Sequence, residues 1–204
     1  MKRVLGFLTL AIVLVATCQN GNSAQTSRTT IRTLYAPRSV SVPAGKVEVV
    51  EFFHFGCRYC RLLEPALAAW RAKQGDRIVF RRVPVAPAPQ LLPYAKLYHA
   101  LVALRREALI PAVFDAIHTR GNLLLTKEQQ KMFVSAHGVD PQRLDDALDS
   151  TATKRALQAD RQEWEAYDVR AVPMLVVQGK FVPEPGATPD ETVRMLDEVI
   201  ARKP

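Results

Sequence analysis

The stretch Glu51-Phe52-Phe53-His54-Phe55-Gly56-Cys57-Arg58-Tyr59-Cys60 constrains this chain more than any other. From Lys46 to Phe55 the sequence sets Val47, Val49, Val50, Phe52, Phe53 and Phe55 in a near-continuous run of β-formers. Such a run suits a central strand covered on both faces. A helix is predicted from about Arg58 to Lys73, because Leu62, Leu63, Ala66, Leu67 and Trp70 recur at helical spacing. Pro65 lies inside it and should kink it by removing one donor. Cys57 and Cys60 stand at the join of strand and helix. One helical turn brings two sulfurs at that spacing within bonding reach.

The rest of the chain reads as support for this pair. Thr30 to Tyr35 alternates weakly, as a short edge strand would. Arg77 to Val85 reads as a second strand, and Pro84, Pro87, Pro89 and Pro93 make a stiff crossover after it. Four or five helical segments then fill residues 91–166, with no convincing strand. Thr126-x-x-Gln129 has the form of a capping box. Asp140-Pro141 opens a helix as cap and first residue. Strand signals return at Met174 to Val177. Gln178-Gly179-Lys180 is a hairpin turn into Phe181-Val182, and a helix closes the chain from Pro189 to Arg202. The order predicts one α/β sheet domain over residues 25–204, interrupted by an all-helical insertion at about 90–166.

Lys2 and Arg3 open the chain, and Val4 to Ala16 is almost wholly apolar. An apolar core of that length fits a secretory signal over residues 1–24 and is too short to span a bilayer. The mature protein is expected outside the cytoplasm, where disulfides persist. Val15-Ala16-Thr17-Cys18 resembles the cleavage box of bacterial lipoproteins. Two fates for Cys18 follow: a lipid anchor, or removal by a cut between Cys18 and Ala24. The formal net charge of +8 fits acidic partners or an anionic surface, and equally a solvated basic exterior. No basic run is interleaved with aromatics, so nucleic acid is not an expected partner.

Cys-x-x-Cys beside a strand–helix–strand unit is a redox signature. A structural zinc site needs two further ligands, and no third cysteine remains once the signal is removed. Haem attachment needs His directly after the second cysteine, where this chain has Arg61. A purely structural disulfide closing two residues adds little. No metal and no cofactor are expected. The two sulfurs should differ. At a helix start, free backbone N–H groups and the helix dipole favour a thiolate at Cys57. Arg58 adds positive charge, and His54 would add more if protonated. Cys60 lies one turn in and faces the core. Cys57 is therefore expected to be the attacked and attacking sulfur, with Cys60 resolving the mixed disulfide. A Cys57 value of ~5 against ~8.5 would favour the reduced form at pH 7 by about 2.7 kcal/mol, or about 60 mV. A protein more stable when reduced gives its disulfide away.

Glu51-Phe52-Phe53-x-Phe55-x-Cys57-x-x-Cys60 resembles the active-site segment of the thioredoxin superfamily, and specifically its DsbA branch. Val169-Arg170-Ala171-Val172-Pro173, followed by Gly179-Lys180-Phe181, is similar to that branch's second signature. The likeness covers residues 31–202, with the helical block where that branch carries its insertion. It implies a thioredoxin-like fold and a periplasmic, monomeric thiol:disulfide oxidoreductase that introduces disulfides into unfolded secreted proteins. A quinone-linked membrane partner of the DsbB type would reoxidise it. The resemblance also implies a cis Val172–Pro173 bond beside the cysteines, and a proton relay to Cys60 through Glu51. The bland reading of Glu51 is a strand-end charge reaching water. Val172, Pro173, Arg58, Tyr59 and His54 are the residues expected at the substrate surface.

Arg58-Tyr59 departs from the Pro-His of well-known oxidases, and His54 and Gly56 also differ from the commonest form. His99, His118 and His137 show no metal-ligand spacing and read as surface or satisfied core side chains. A reductase or isomerase on the same fold is the second reading, and a non-catalytic chaperone-like module the third.

Overall fold

The computed structural model describes residues 30–202 except 185 and 187. The expected signal and Cys18 lie outside those residues. Five strands, β1 (Ile31–Thr33), β2 (Val47–Phe53), β3 (Ile78–Pro84), β4 (Met174–Val177) and β5 (Phe181–Pro183), form one mixed sheet in the order β1-β5-β4-β2-β3. β2 lies inside, parallel to β3 and antiparallel to β4. Every residue from Glu48 to Phe53 is buried, as an unbroken apolar run requires. The β4–β5 turn places Gln178 and Gly179 at φ 50° and 61°. Both are left-handed, and the Lys180 N–H closes the turn on the Val177 carbonyl at 3.1 Å before Phe181 pairs with Val177.

α1 (Arg58–Gln74) and α7 (Pro189–Ala201) cover one face. Leu63, Leu67 and Trp70 of α1 meet Val49, Leu175 and Val177 of the sheet and Leu196, Val199 and Ile200 of α7. Burying each of these large side chains contributes roughly 1.5–3 kcal/mol. Thr188 and Glu191 form a capping box that starts α7. Pro65 sits inside α1, and the helix runs through it to Gln74.

The chain between β3 and β4 holds α2 (Leu92–Ala103), α3 (Ile110–His118), α4 (Lys127–Ala136), α5 (Pro141–Leu148) and α6 (Thr151–Ala166). The Thr126/Gln129 capping box and the Asp140 cap form as predicted from sequence. α6 opens at Thr151, where the Ser150 hydroxyl caps it by accepting the Thr153 N–H. α6 shields the other sheet face, where Val50, Phe52, Met174, Val176 and Tyr167 pack with Trp164. The remaining insertion helices share one core with the end of β2. Phe53, Phe55, Cys57 and Cys60 pack with Leu97, Leu101, Val113, Phe114 and Leu124. The insertion thus forms the wall behind the two cysteines.

Candidate active site

Cys57 is the N-cap of α1, at φ −82° and ψ 115°. Its backbone N–H bonds to the His54 carbonyl at 3.0 Å, closing the turn out of β2. Its Sγ accepts the Cys60 N–H at 3.2 Å, in the place of a usual oxygen cap. Gly56 lets the Tyr94 ring close against this turn, since a Cβ there would stand 2.9 Å from it. Both cysteines are free thiols. Cys57 is 8% exposed and Cys60 fully buried, so the first sulfur is far less open than its helix-start position implies. The Cys57 thiol donates to the Val172 carbonyl at 3.3 Å, and the Val172–Pro173 bond is cis. Residues 115 apart in sequence are thereby brought onto one sulfur.

The environments push the two thiols apart. Cys57 is lowered to about 7, chiefly by the Cys60 thiol donating to it and further by the Cys60 and Tyr59 N–H groups; burial and the Glu51 charge act the other way. Cys60 is raised, first by burial and then by its bond to Cys57. This is the expected direction with a smaller size than ~5 would give. With Cys57 at about 7 against an ordinary 9.0, the reduced form gains about 0.4 kcal/mol at pH 7, or about 9 mV. The full effect develops only toward pH 9.

His54 does not supply the cation that its position offers. Burial, and then the nearby His118, lower its pKa, which leaves it neutral at pH 7. Its buried Nδ1 has no hydrogen-bond partner among the described residues. His118 is held by a 2.8 Å bond between Nε2 and the Phe55 carbonyl.

Glu51 does not reach water. It is fully buried, and its Oε2 accepts from Arg82 Nε at 2.7 Å. Arg82 Nη2 bonds Glu64 Oε2 at 2.5 Å. The parallel register sets Glu51 directly beside Arg82, while Glu64 reaches in from α1. Burial works against the Arg82 charge, but Glu51 and Glu64 outweigh it and its pKa rises. Burial raises Glu64, with Arg82 pulling back. The second Glu51 oxygen, Oε1, is buried with no partner among the described residues. No group of three or more His, Cys, Asp or Glu side chains among the described residues could hold a metal.

The DSBA-like thioredoxin domain family matches residues 89–195. The chain is 39% identical over 204 residues to the thiol:disulfide interchange protein DsbA of Burkholderia cepacia, covering 98% of this chain and 96% of that protein. This chain belongs to the DsbA family. DsbA of Azotobacter vinelandii is 31% identical over 208 residues, 99% of this chain and 97% of that one. A crystal structure of Pseudomonas aeruginosa DsbA matches with a TM-score of 0.76 at 30% identity, covering 86% of this chain and 95% of that chain. The oxidoreductase DsbA from Xylella fastidiosa gives 0.77 at 26% identity, covering 85% and 94%.

Within this DsbA-family site, sequence reasoning named both cysteines, Glu51 and the Val172–Pro173 loop, and the structure brings all of them together. Arg58 is exposed and Tyr59 is 71% exposed at the mouth. Arg82 and Glu64 went unnoticed. Their only signal was Arg81-Arg82 inside an otherwise apolar strand, which asks for buried counter-ions.

Proposed function

We propose that this thiol:disulfide oxidoreductase runs as a dithiol oxidase on unfolded secreted polypeptides in the periplasm. Cys57 is the sulfur that exchanges and Cys60 the one that resolves. The observation that carries this reading is the geometry of the pair: Cys57 Sγ at the start of α1 lies on the Cys60 N–H and against the Val172 carbonyl of the cis-proline loop, while Cys60 is fully buried behind it. A substrate thiolate attacks Cys57 in the Cys57–Cys60 disulfide. The protein S–S bond breaks, a mixed disulfide forms at Cys57, and Cys60 leaves as a thiolate that takes up a proton. A second substrate thiolate then attacks the substrate sulfur of the mixed disulfide, and Cys57 departs as a thiolate. Two electrons have passed from the substrate dithiol to the protein. The better leaving sulfur is the one with the lower pKa, so the second step runs forward from Cys57.

Glu51 is the candidate for moving the Cys60 proton. Its free Oε1 leaves one lone-pair site uncommitted, and its charge acts on both thiols. Val172 and Pro173 offer backbone to an extended substrate strand beside Cys57, with Arg58, Tyr59 and His54 around it. A quinone-linked membrane partner of the DsbB type would accept the two electrons. Among the described residues no helix is long and apolar enough to cross a membrane. A secretory signal over residues 1–24 would place the protein in the periplasm, as a soluble monomer or held by a lipid at Cys18.

Trapping tests the roles. Cys60→Ser protein carrying an activated Cys57 should accumulate a stable mixed disulfide with a reduced unfolded substrate, and Cys57→Ser should form none. Accumulation through Cys60 in the Cys57→Ser variant would reverse the assignment.

A further inference from the structure

Two guanidinium groups on the first turns of α1 carry charge that no carboxylate among the described residues neutralises. Arg58 follows the nucleophile directly and is exposed, with no hydrogen bond or ion pair among the described residues. Arg61 gives an N–H to the Thr119 hydroxyl at 2.9 Å, a neutral partner. The other arginines around the site are compensated. Arg120 pairs with Asp115 at 3.3 Å, and Arg170 of the cis-proline loop with Asp168 at 2.6 Å. The two carboxylates beneath the cysteines, Glu51 and Glu64, are buried on Arg82 and face inward. Their neighbours on the helix surface are apolar, since Tyr59 is 71% and Leu62 is 42% exposed. The α1 N-terminus adds partial positive charge of its own. Among the described residues the mouth of the site is therefore a cationic ridge with apolar gaps, and the surface carboxylate that shares a pocket with Arg61, Asp115, is itself paired with Arg120.

We propose that Arg58 and Arg61 are specificity-determining residues that favour client cysteines flanked by acidic side chains. This rests on the oxidase reading of the same site and names the class of polypeptide segment it prefers. The attacking group is itself an anion, so a positive rim raises its local concentration. A carboxylate one or two residues from the client cysteine comes within a Debye length of both guanidinium groups, which is about 10 Å at 0.1 M salt. At an exposed separation of that order each such contact is worth roughly a two-fold gain in rate before screening. With both guanidinium groups acting, acidic flanks gain about four-fold and basic flanks lose about four-fold before screening, so the two classes should separate by about ten-fold at low salt. Arg61 is tied to α3 through Thr119 and so presents its charge from a fixed place, whereas Arg58 is free to follow the client.

The test uses the full-length oxidised protein and three dithiol peptides whose flanks are Asp, Ser or Lys. Each second-order oxidation rate is divided by that of the same peptide with a neutral small-molecule disulfide. This removes the effect of the flanks on the peptide's own thiolate fraction. The Asp peptide should exceed the Lys peptide by about ten-fold at 20 mM salt, and the ratio should fall toward two-fold at 0.5 M. Arg58→Glu with Arg61→Glu should invert the order. Any change these substitutions make to Cys57 itself cancels in the ratio. An Asp-to-Lys ratio near one in the wild type, or a preference unchanged in the double variant, overturns the proposal while oxidation of the Ser peptide leaves the oxidase reading standing. Failure to oxidise all three peptides overturns that reading and this proposal with it.

Discussion

Replacing Arg82 by Met keeps the length of the side chain and removes the cation hydrogen-bonded to both Glu51 and Glu64, leaving only the more distant charge of Arg71 acting on them among the described residues. The three side chains are 5%, 1% and 7% exposed, so water does not replace the lost partner. Removing one member of a buried pair typically costs about 3–5 kcal/mol. The carboxylates can escape by taking up protons, which caps the cost. At pH 7 protonation costs roughly 1.36 kcal/mol for each unit above an ordinary glutamate value of ~4.3, or about 3.7 kcal/mol per group. At pH 5 the same escape costs about 1 kcal/mol. In the variant the folded state holds protons that the unfolded state has released, so its deficit grows as pH rises. Urea unfolding of wild type and Arg82→Met, both reduced, should show a deficit of about 3–5 kcal/mol at pH 7 and less than half of that at pH 5, with similar m-values. Adding Glu51→Gln and Glu64→Gln should recover most of it. A deficit under about 1 kcal/mol, or one equal at both pH values, would refute the reading of this triad as a tightly coupled buried charge cluster.

Two further outcomes follow from the same structure. Gly179→Ala should destabilise the protein by at least ~2 kcal/mol in thermal or urea unfolding, since the residue is left-handed at φ 61° and a Cβ would stand 2.2 Å from the Arg38 carbonyl oxygen; an effect below ~0.5 kcal/mol would contradict the turn geometry. Cys57 is a depressed acid, so its contribution to the reduced protein is complete above the ordinary value of 9.0 and fades as pH falls through about 7. The stability of reduced relative to disulfide-bonded protein should therefore rise by about 1.4 kcal/mol between pH 7 and pH 8.5, and a flat or falling difference would count against it.

The sequence made the frame of the site legible because each signal there is local. An unbroken β-forming run, a two-residue spacing between cysteines, a capping box at Thr126 and a hairpin at Gln178-Gly179 all act within a few residues. The hidden parts are set by register and depth. Glu51 found its counter-ion on β3, and only the parallel pairing of β2 with β3 puts Arg82 beside it. His54 looked like a source of positive charge because its burial and the approach of His118 from α3 depend on how the insertion docks. The cover over Cys57 comes from the Val172 carbonyl, 115 residues away in sequence and outside the insertion, so no local signal announces it.

Dithiol exchange at this site depends on Cys57 giving up its proton more readily than an ordinary thiol while Cys60 holds its own. Absorbance of the thiolate, followed against pH in the reduced wild type with Cys57→Ser as the blank, measures this directly. A single ionisation near pH 7 that vanishes in the variant is the predicted result. A Cys57 value at or above 9.0, the ordinary value for a free thiol, would contradict it.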